Sequence, residues 1–199
     1  MNRRIFLCIA TLLLAISPAP AQSENASELA TQNVKRVDKV VTSAQWVNLL
    51  HADFKKPGKK DLFILVTLDC GVYSGTPGNA FDDATLAVRV FVDGHLTRPG
   101  VVSFCGKANG LVPPFSQLAT CSSNSLSSCG FTADELSEIN RSLRAHAFNF
   151  LLINIPKGIQ NITVQGKVQE GSSTGPAFAV VGAGSLEALV VNLKEEGPE

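Results

Sequence analysis

The chain has 199 residues with 17 basic and 17 acidic side chains, and its content is 45% hydrophobic and 17% charged. That balance gives a globular body with no basic excess to hold a nucleic-acid backbone and no polybasic run to hold an anionic membrane. The length suits one domain with a real core. The first residues read as a signal peptide: Arg3 and Arg4 form a basic start, Ile5 to Ile16 an apolar run, and Ala19-Pro20-Ala21 a small-residue cleavage site. That run is too short to cross a bilayer as a helix, which takes roughly 20 residues, so no stable membrane insertion is expected after cleavage. The paired arginines also fit twin-arginine export as an alternative to the general route. Removing residues 1–21 from 199 leaves 178, and losing two arginines leaves 15 basic against 17 acidic side chains, a formal charge of −2. The expected home is the periplasm or the extracellular space.

Residues 22–36 are polar and without apolar period, which predicts a flexible leader. The folded domain is expected over 37–193, with 194–199 a charged tail. Val37 to Val41 predict the start of a first strand. Gln45 to Phe54 predict a strand with Trp46, Leu50, Ala52 and Phe54 on one face, which places Trp46 in the core. Lys55-Lys56-Pro57-Gly58-Lys59-Lys60 predicts a solvated hairpin tip. Leu62 to Cys70 is apolar on both faces, the mark of a strand covered on both sides. Gly71 to Asp83 is a loop. Leu86, Val88, Val90 and Val92 alternate as a strand, Asp93-Gly94 and Pro99-Gly100 are turn pairs, and Val101 to Cys105 is a short strand.

Gly106 to Gly130 predicts a long irregular loop. Thr132 and Glu135 then stand at the two positions of a capping box, and Leu136, Ile139 and Leu143 form a stripe, so a helix is expected over 133–144. Ala147 to Val168 reads as a hairpin, its first strand central because both faces are apolar and its second half-buried, with Pro156-Lys157-Gly158 as the turn. Ala177–Val181 and Leu186–Leu193 predict the last strands, with Gly182-Ala183-Gly184 a turn between them. The sum is an all-β, two-sheet antiparallel β-sandwich, of jelly-roll or Ig-like order, with one short α-helix.

Four cysteines remain after cleavage: Cys70, Cys105, Cys121 and Cys129. An even count in an exported chain favours two disulfides. Three pairings are open. Cys121–Cys129 closes a short Ser/Asn loop, and Cys70–Cys105 joins the ends of two strands, so that pairing is favoured. Separations of 35, 16 and 8 residues do not suit a four-thiolate zinc site, and no C-x-x-C pair supports thiol redox chemistry.

Other chemistry is thinly written. The Gly182-x-Gly184 pair lacks the third small residue and the βαβ unit of a dinucleotide site, so no cofactor is expected. Ser74 is preceded two positions back by Val72, which rules out a nucleophile elbow. His51, His95 and His146 read as separate structural or surface residues, and no metal site is expected. Asp69, Asn79, Asp82 and Asp83 lack an ordered calcium spacing and suit turn chemistry better. Tyr73 among Gly, Ser and Asn, with Asp82 and Asp83 nearby, is the candidate floor of a shallow carbohydrate or peptide site.

The strand DLFILVTLDCG, the strand-turn VRVFVDG with PGVVSFC after it, and the run AFNFLLINIPKGIQNITVQGKV closed by AVVGAGSLEALVV together resemble a group of exported bacterial β-sandwich proteins of unknown function. The resemblance spans about Val40 to Val191. It implies the sandwich fold and brings no active-site signature. The expected function is therefore an exported, non-enzymatic module with a structural, protein-binding or carbohydrate-binding role. The alternative is an extracytoplasmic hydrolase acting on cell-wall or extracellular material.

Overall fold

A computed structural model describes residues 28–42, 45–56, 60–74, 84–106, 121–169 and 177–191. Two antiparallel sheets face each other. The first carries, in spatial order, β1 (Glu28–Thr42), β9 (Ala177–Val191), β3 (Lys60–Ser74) and β7 (Arg144–Ile155). The second carries β2 (Val47–Lys56), β8 (Gly158–Gln169) and β4 (Thr85–Val92), with β5 (His95–Leu96) and β6 (Val102–Cys105) both along the far side of β4. Successive strands change sheet at every step except β4 to β5 to β6, and the late strands β8 and β9 each sit between two earlier ones. This is jelly-roll order, and it decides between the two sandwich orders left open above.

The core lies between the sheets. Leu62, Ile64, Val66 and Leu68 of β3 face inward with no exposed surface, as do Leu86, Val88 and Val90 of β4 and Ile162 and Val164 of β8. Each such side chain contributes about 1.5–3 kcal/mol by leaving water. The disulfide Cys70–Cys105 ties β3 to β6 and so links the two sheets through this core. Gly184 of β9 sits where the two sheets pack closely: an added Cβ would lie 2.7 Å from Leu68 and 3.2 Å from Leu50 of the opposite sheet.

A second apolar layer covers part of the first sheet's outer face. Val40, Tyr73, Phe178 and Val180 point outward there and are buried by Leu126, Cys129 and Ile139. Ile139 belongs to α1 (Ala133–Ser142), and Leu126 to a single 3₁₀ turn, Leu126–Ser128, held by the disulfide Cys121–Cys129. The helix begins as expected. Thr132 Oγ1 accepts from the Glu135 N–H at 3.2 Å, and the Thr132 N–H donates to Glu135 Oε2 at 2.8 Å. Strands β3 and β9 are thus covered on both faces at this end, which explains the unbroken apolar run AFAVV.

Four sequence expectations are corrected. First, Ala147–Val168 is not a hairpin. β7 pairs with β3 in the first sheet and β8 with β2 and β4 in the second, so Pro156-Lys157 turns a corner between sheets. The Lys55–Lys60 stretch likewise links strands of opposite sheets, although 57–59 lie outside the described residues. Second, β7 is an edge strand. Phe150 faces the core, but Phe148 and Ile153 are 37% and 39% exposed. Leu151 is met by the backbone of Arg98, which exchanges N–H···O bonds of 2.8 and 2.9 Å with it. Third, Gly182 to Gly184 is no turn but lies inside β9, opposite irregular register in β1 and β3. Fourth, β1 starts at Glu28, so 28–36 is strand. Its pairing with β9 is made by backbone groups, which need no apolar period. Residues 1–27 and 192–199, with the signal peptide and tail expectations, fall outside the described residues.

Candidate functional site

The second sheet presents its other face outward, and that face is built from three strands in register. Asn48 of β2 lies opposite Gln165 of β8, which lies opposite Arg89 of β4. The three side chains are joined into a ladder: Arg89 Nε donates to Gln165 Oε1 at 2.9 Å, and Gln165 Nε2 donates to Asn48 Oδ1 at 2.8 Å. The Arg89 guanidinium lies over the Trp46 ring at 4.0 Å and over the Phe91 ring at 4.9 Å. Partial desolvation there lowers the Arg89 pKa, and a guanidinium stays protonated regardless. Lys167, also half-buried, follows Gln165 two residues along β8 on the same face.

Further along, the face is acidic and equally cross-linked. Asn161 Nδ2 donates to Asp53 Oδ1 at 2.9 Å, and the Asn161 N–H donates to Asp93 Oδ1 at 2.8 Å. Thr163 Oγ1 donates to Asn161 Oδ1 at 3.1 Å, and His51 Nε2 lies 3.6 Å from Asp53 Oδ2. His51 is therefore not alone: Asp53, two residues on, shares its strand face. Asp93 and Gly94 form the two-residue turn between β4 and β5 with φ of 49° and 79°, as the Asp-Gly pair predicted.

Trp46 was expected in the core and is instead half-buried on this outer face. The cause is a bulge in β2 between Asn48 and Leu50, where β2 advances two residues against one in β8. Val47 and Leu49 point inward before it and Leu50, Ala52 and Phe54 after it. The doubled Leu49-Leu50 is the sequence signal of that phase change, and it turns Trp46 outward.

Tyr73 moves the other way. It was expected at the surface and is 3% exposed beneath α1. Its ring stacks on Phe178 with centroids 5.4 Å apart, and its hydroxyl is 2.6 Å from Ser142 Oγ and donates to Ile139 O at 3.3 Å. Burial raises its pKa above the ordinary 10.0, against smaller lowering effects of the Ser142 bond and the Arg144 charge. Tyr73 thus anchors the helix and offers no ring to a surface ligand. Asp82 and Asp83 lie outside the described residues.

An open cleft of about 580 Å³ borders the same C-terminal end of α1, lined by Lys35, Asp38, Asp69, Asn140, Leu143, Gly182 and Ala183. Asp38 stands at the bulge in β1 with φ 46°. Among the described residues no group of three His, Cys, Asp or Glu is placed to hold a metal ion.

The architecture defines a two-sheet antiparallel β-sandwich. In solved structures it is similar to the infectious bursal disease virus VP2 subviral particle, at 14% identity and TM-score 0.43, covering 89% of this chain and 37% of that one. It is also similar to dimeric latent PorU from Porphyromonas gingivalis, at 9% identity and TM-score 0.34, covering 84% and 13% of the two chains. The chain thus spans little over a third of the VP2 chain. No protein-family model and no curated protein matches the sequence.

Proposed function

We propose that this chain is an exported, non-enzymatic β-sandwich module that binds a saccharide on the outer face of the second sheet. The observation that carries the reading is the ladder Asn48–Gln165–Arg89 beside Trp46 and Phe91. Its polar groups sit on three strands about 4.8 Å apart, a step comparable to one pyranose unit. Planar amides and a guanidinium pair with neighbouring sugar hydroxyls, and an indole takes the apolar face of a ring. An added peptide strand would instead seek a sheet edge. Export is supported by the N-terminal signal pattern and by two disulfides, which persist in oxidising compartments. Among the described residues no helix is long and apolar enough to cross a membrane.

Electrophoresis of the mature protein through gels containing neutral or acidic soluble polysaccharides tests the reading. Migration should be retarded by at least one polymer, and Trp46→Ala should restore it. Unretarded migration in every gel, or retardation indifferent to Trp46→Ala, would contradict the reading.

A hydrolase is the second reading, favoured by one observation: Asp38 and Asp69 line the same cleft. Paired carboxylates are the usual equipment of glycoside hydrolysis. It requires new reducing ends to appear when polysaccharide is incubated with the protein, and to stop appearing in Asp38→Asn or Asp69→Asn.

A further inference from the structure

We infer that Arg89 is a carboxylate receptor and that the saccharide bound by this face is acidic, a chain containing uronic acid. The inference deepens the binding reading above and rests on it. Arg89 is held at two places: Nε is engaged by Gln165, and the guanidinium plane is packed against Trp46 and Phe91. Among the described residues no acceptor takes its two terminal NH₂ groups. A guanidinium fixed by its Nε and its faces, with its fork unspent, is organised in advance for a bidentate bond to a carboxylate. Little side-chain freedom is left to lose on binding.

The surroundings agree in charge. Lys167 lies on the same face near Arg89, with neutral Ala87 opposite it, while Asp53 and Asp93 stand at the other end of the face, where exposed Lys55 of β2 offsets one of the two charges. An anionic group is therefore drawn to the Arg89–Lys167 end and repelled from the other, which gives a charged chain a preferred position. Neutral structural explanations account for less. Packing on Trp46 and Phe91 accounts for the guanidinium faces and Gln165 for Nε, but neither uses the fork, which water holds until a ligand displaces it, and Asp53 and Asp93 of this face are tied to Asn161.

The experiment is calorimetric titration of the mature protein with an oligogalacturonate, with its fully methyl-esterified neutral form, and with an oligo-aspartate peptide of matched charge. The acid should bind at least tenfold more tightly than the ester, and more tightly than the peptide. Arg89→Gln should weaken the acid about ten- to a hundredfold, the usual effect of losing a charged hydrogen bond, and the ester, which loses only a neutral contact, by a clearly smaller factor. Arg89→Lys, which keeps the charge without the fork, should fall between. Thermal melts of both variants show that the fold is intact, and Arg89→Lys keeps the test alive if Arg89→Gln does not fold. Equal binding of acid and ester, preference for the peptide, or indifference of the acid to both variants overturns the inference. In the first of these cases binding to the face itself survives. Binding of none of the three overturns the inference together with the reading beneath it.

Discussion

The two sheets turn very different faces outward. On the first, Val40, Tyr73, Phe178 and Val180 are roofed by α1 and the loop stapled through Cys121–Cys129. On the second, Asn48, Gln165, Arg89, Thr163 and Asn161 meet solvent, tied to one another across the strands. A sheet face that is apolar must be covered, and one that is polar and cross-linked can stand bare. The first face is thereby committed to stability, and the second, uncovered among the described residues, is the one we propose for recognition. The difference also separates two kinds of mutational effect: changes under the roof should cost folding, and changes on the bare face should cost binding.

The largest effects should come from what holds the roof and the sheets. Replacing Cys70 and Cys105 together by Ala opens a 35-residue loop in the core and should destabilise by about 4 kcal/mol on the chain-entropy model, read as a fall in denaturation midpoint. Ile139→Ala empties a site with no exposed surface in the second apolar layer and should cost about 3 kcal/mol. Either change without effect on stability would erase the contrast between the faces. Tyr73→Phe keeps the ring stack and removes one hydroxyl from a buried pair with Ser142, at about 1 kcal/mol. Trp46→Ala, on the bare face, should cost no more than about 1 kcal/mol of stability, which chemical denaturation will show.

Tyr73 offers a test by pH as well, because it is the one tyrosine of the chain. Its folded pKa is raised by burial. The unfolded chain therefore ionises first, and stability is unaffected below about pH 10 and falls as pH rises above it. Ultraviolet titration of the native protein should place phenol ionisation above that of a free tyrosine. Ionisation at the ordinary value would mean that the roof is not there.

Much of this contrast was legible in advance, and the exceptions have causes. The capping box at Thr132 and Glu135, the Asp93-Gly94 turn and the Cys121–Cys129 pair are local patterns, and the structure contains them, together with the Cys70–Cys105 pair 35 residues apart. The single Trp and single Tyr exchanged places, however. Trp46 is turned outward by one extra residue in β2, and Tyr73 is buried by a helix more than sixty residues further along. Strands β3 and β7 both read as apolar on two faces, yet β3 lies between β9 and β7 while β7 is at the edge. Periodicity reports how much of a strand is apolar. It does not report which neighbour covers it, because the cover is set by pairings between distant segments. The ladder was missed for the same reason: Asn48, Arg89 and Gln165 meet only through register.

Mapping backbone amide shifts of the labelled protein during titration with an oligogalacturonate tests most directly whether the bare face is the recognition surface. The shifts should gather on Asn48, Arg89, Phe91, Thr163 and Gln165 and leave Tyr73 and Ile139 unmoved. Saturable shifts centred on Asp38, Asp69 and Asn140 instead would place recognition at the cleft and contradict the division between a roofed face and a binding face.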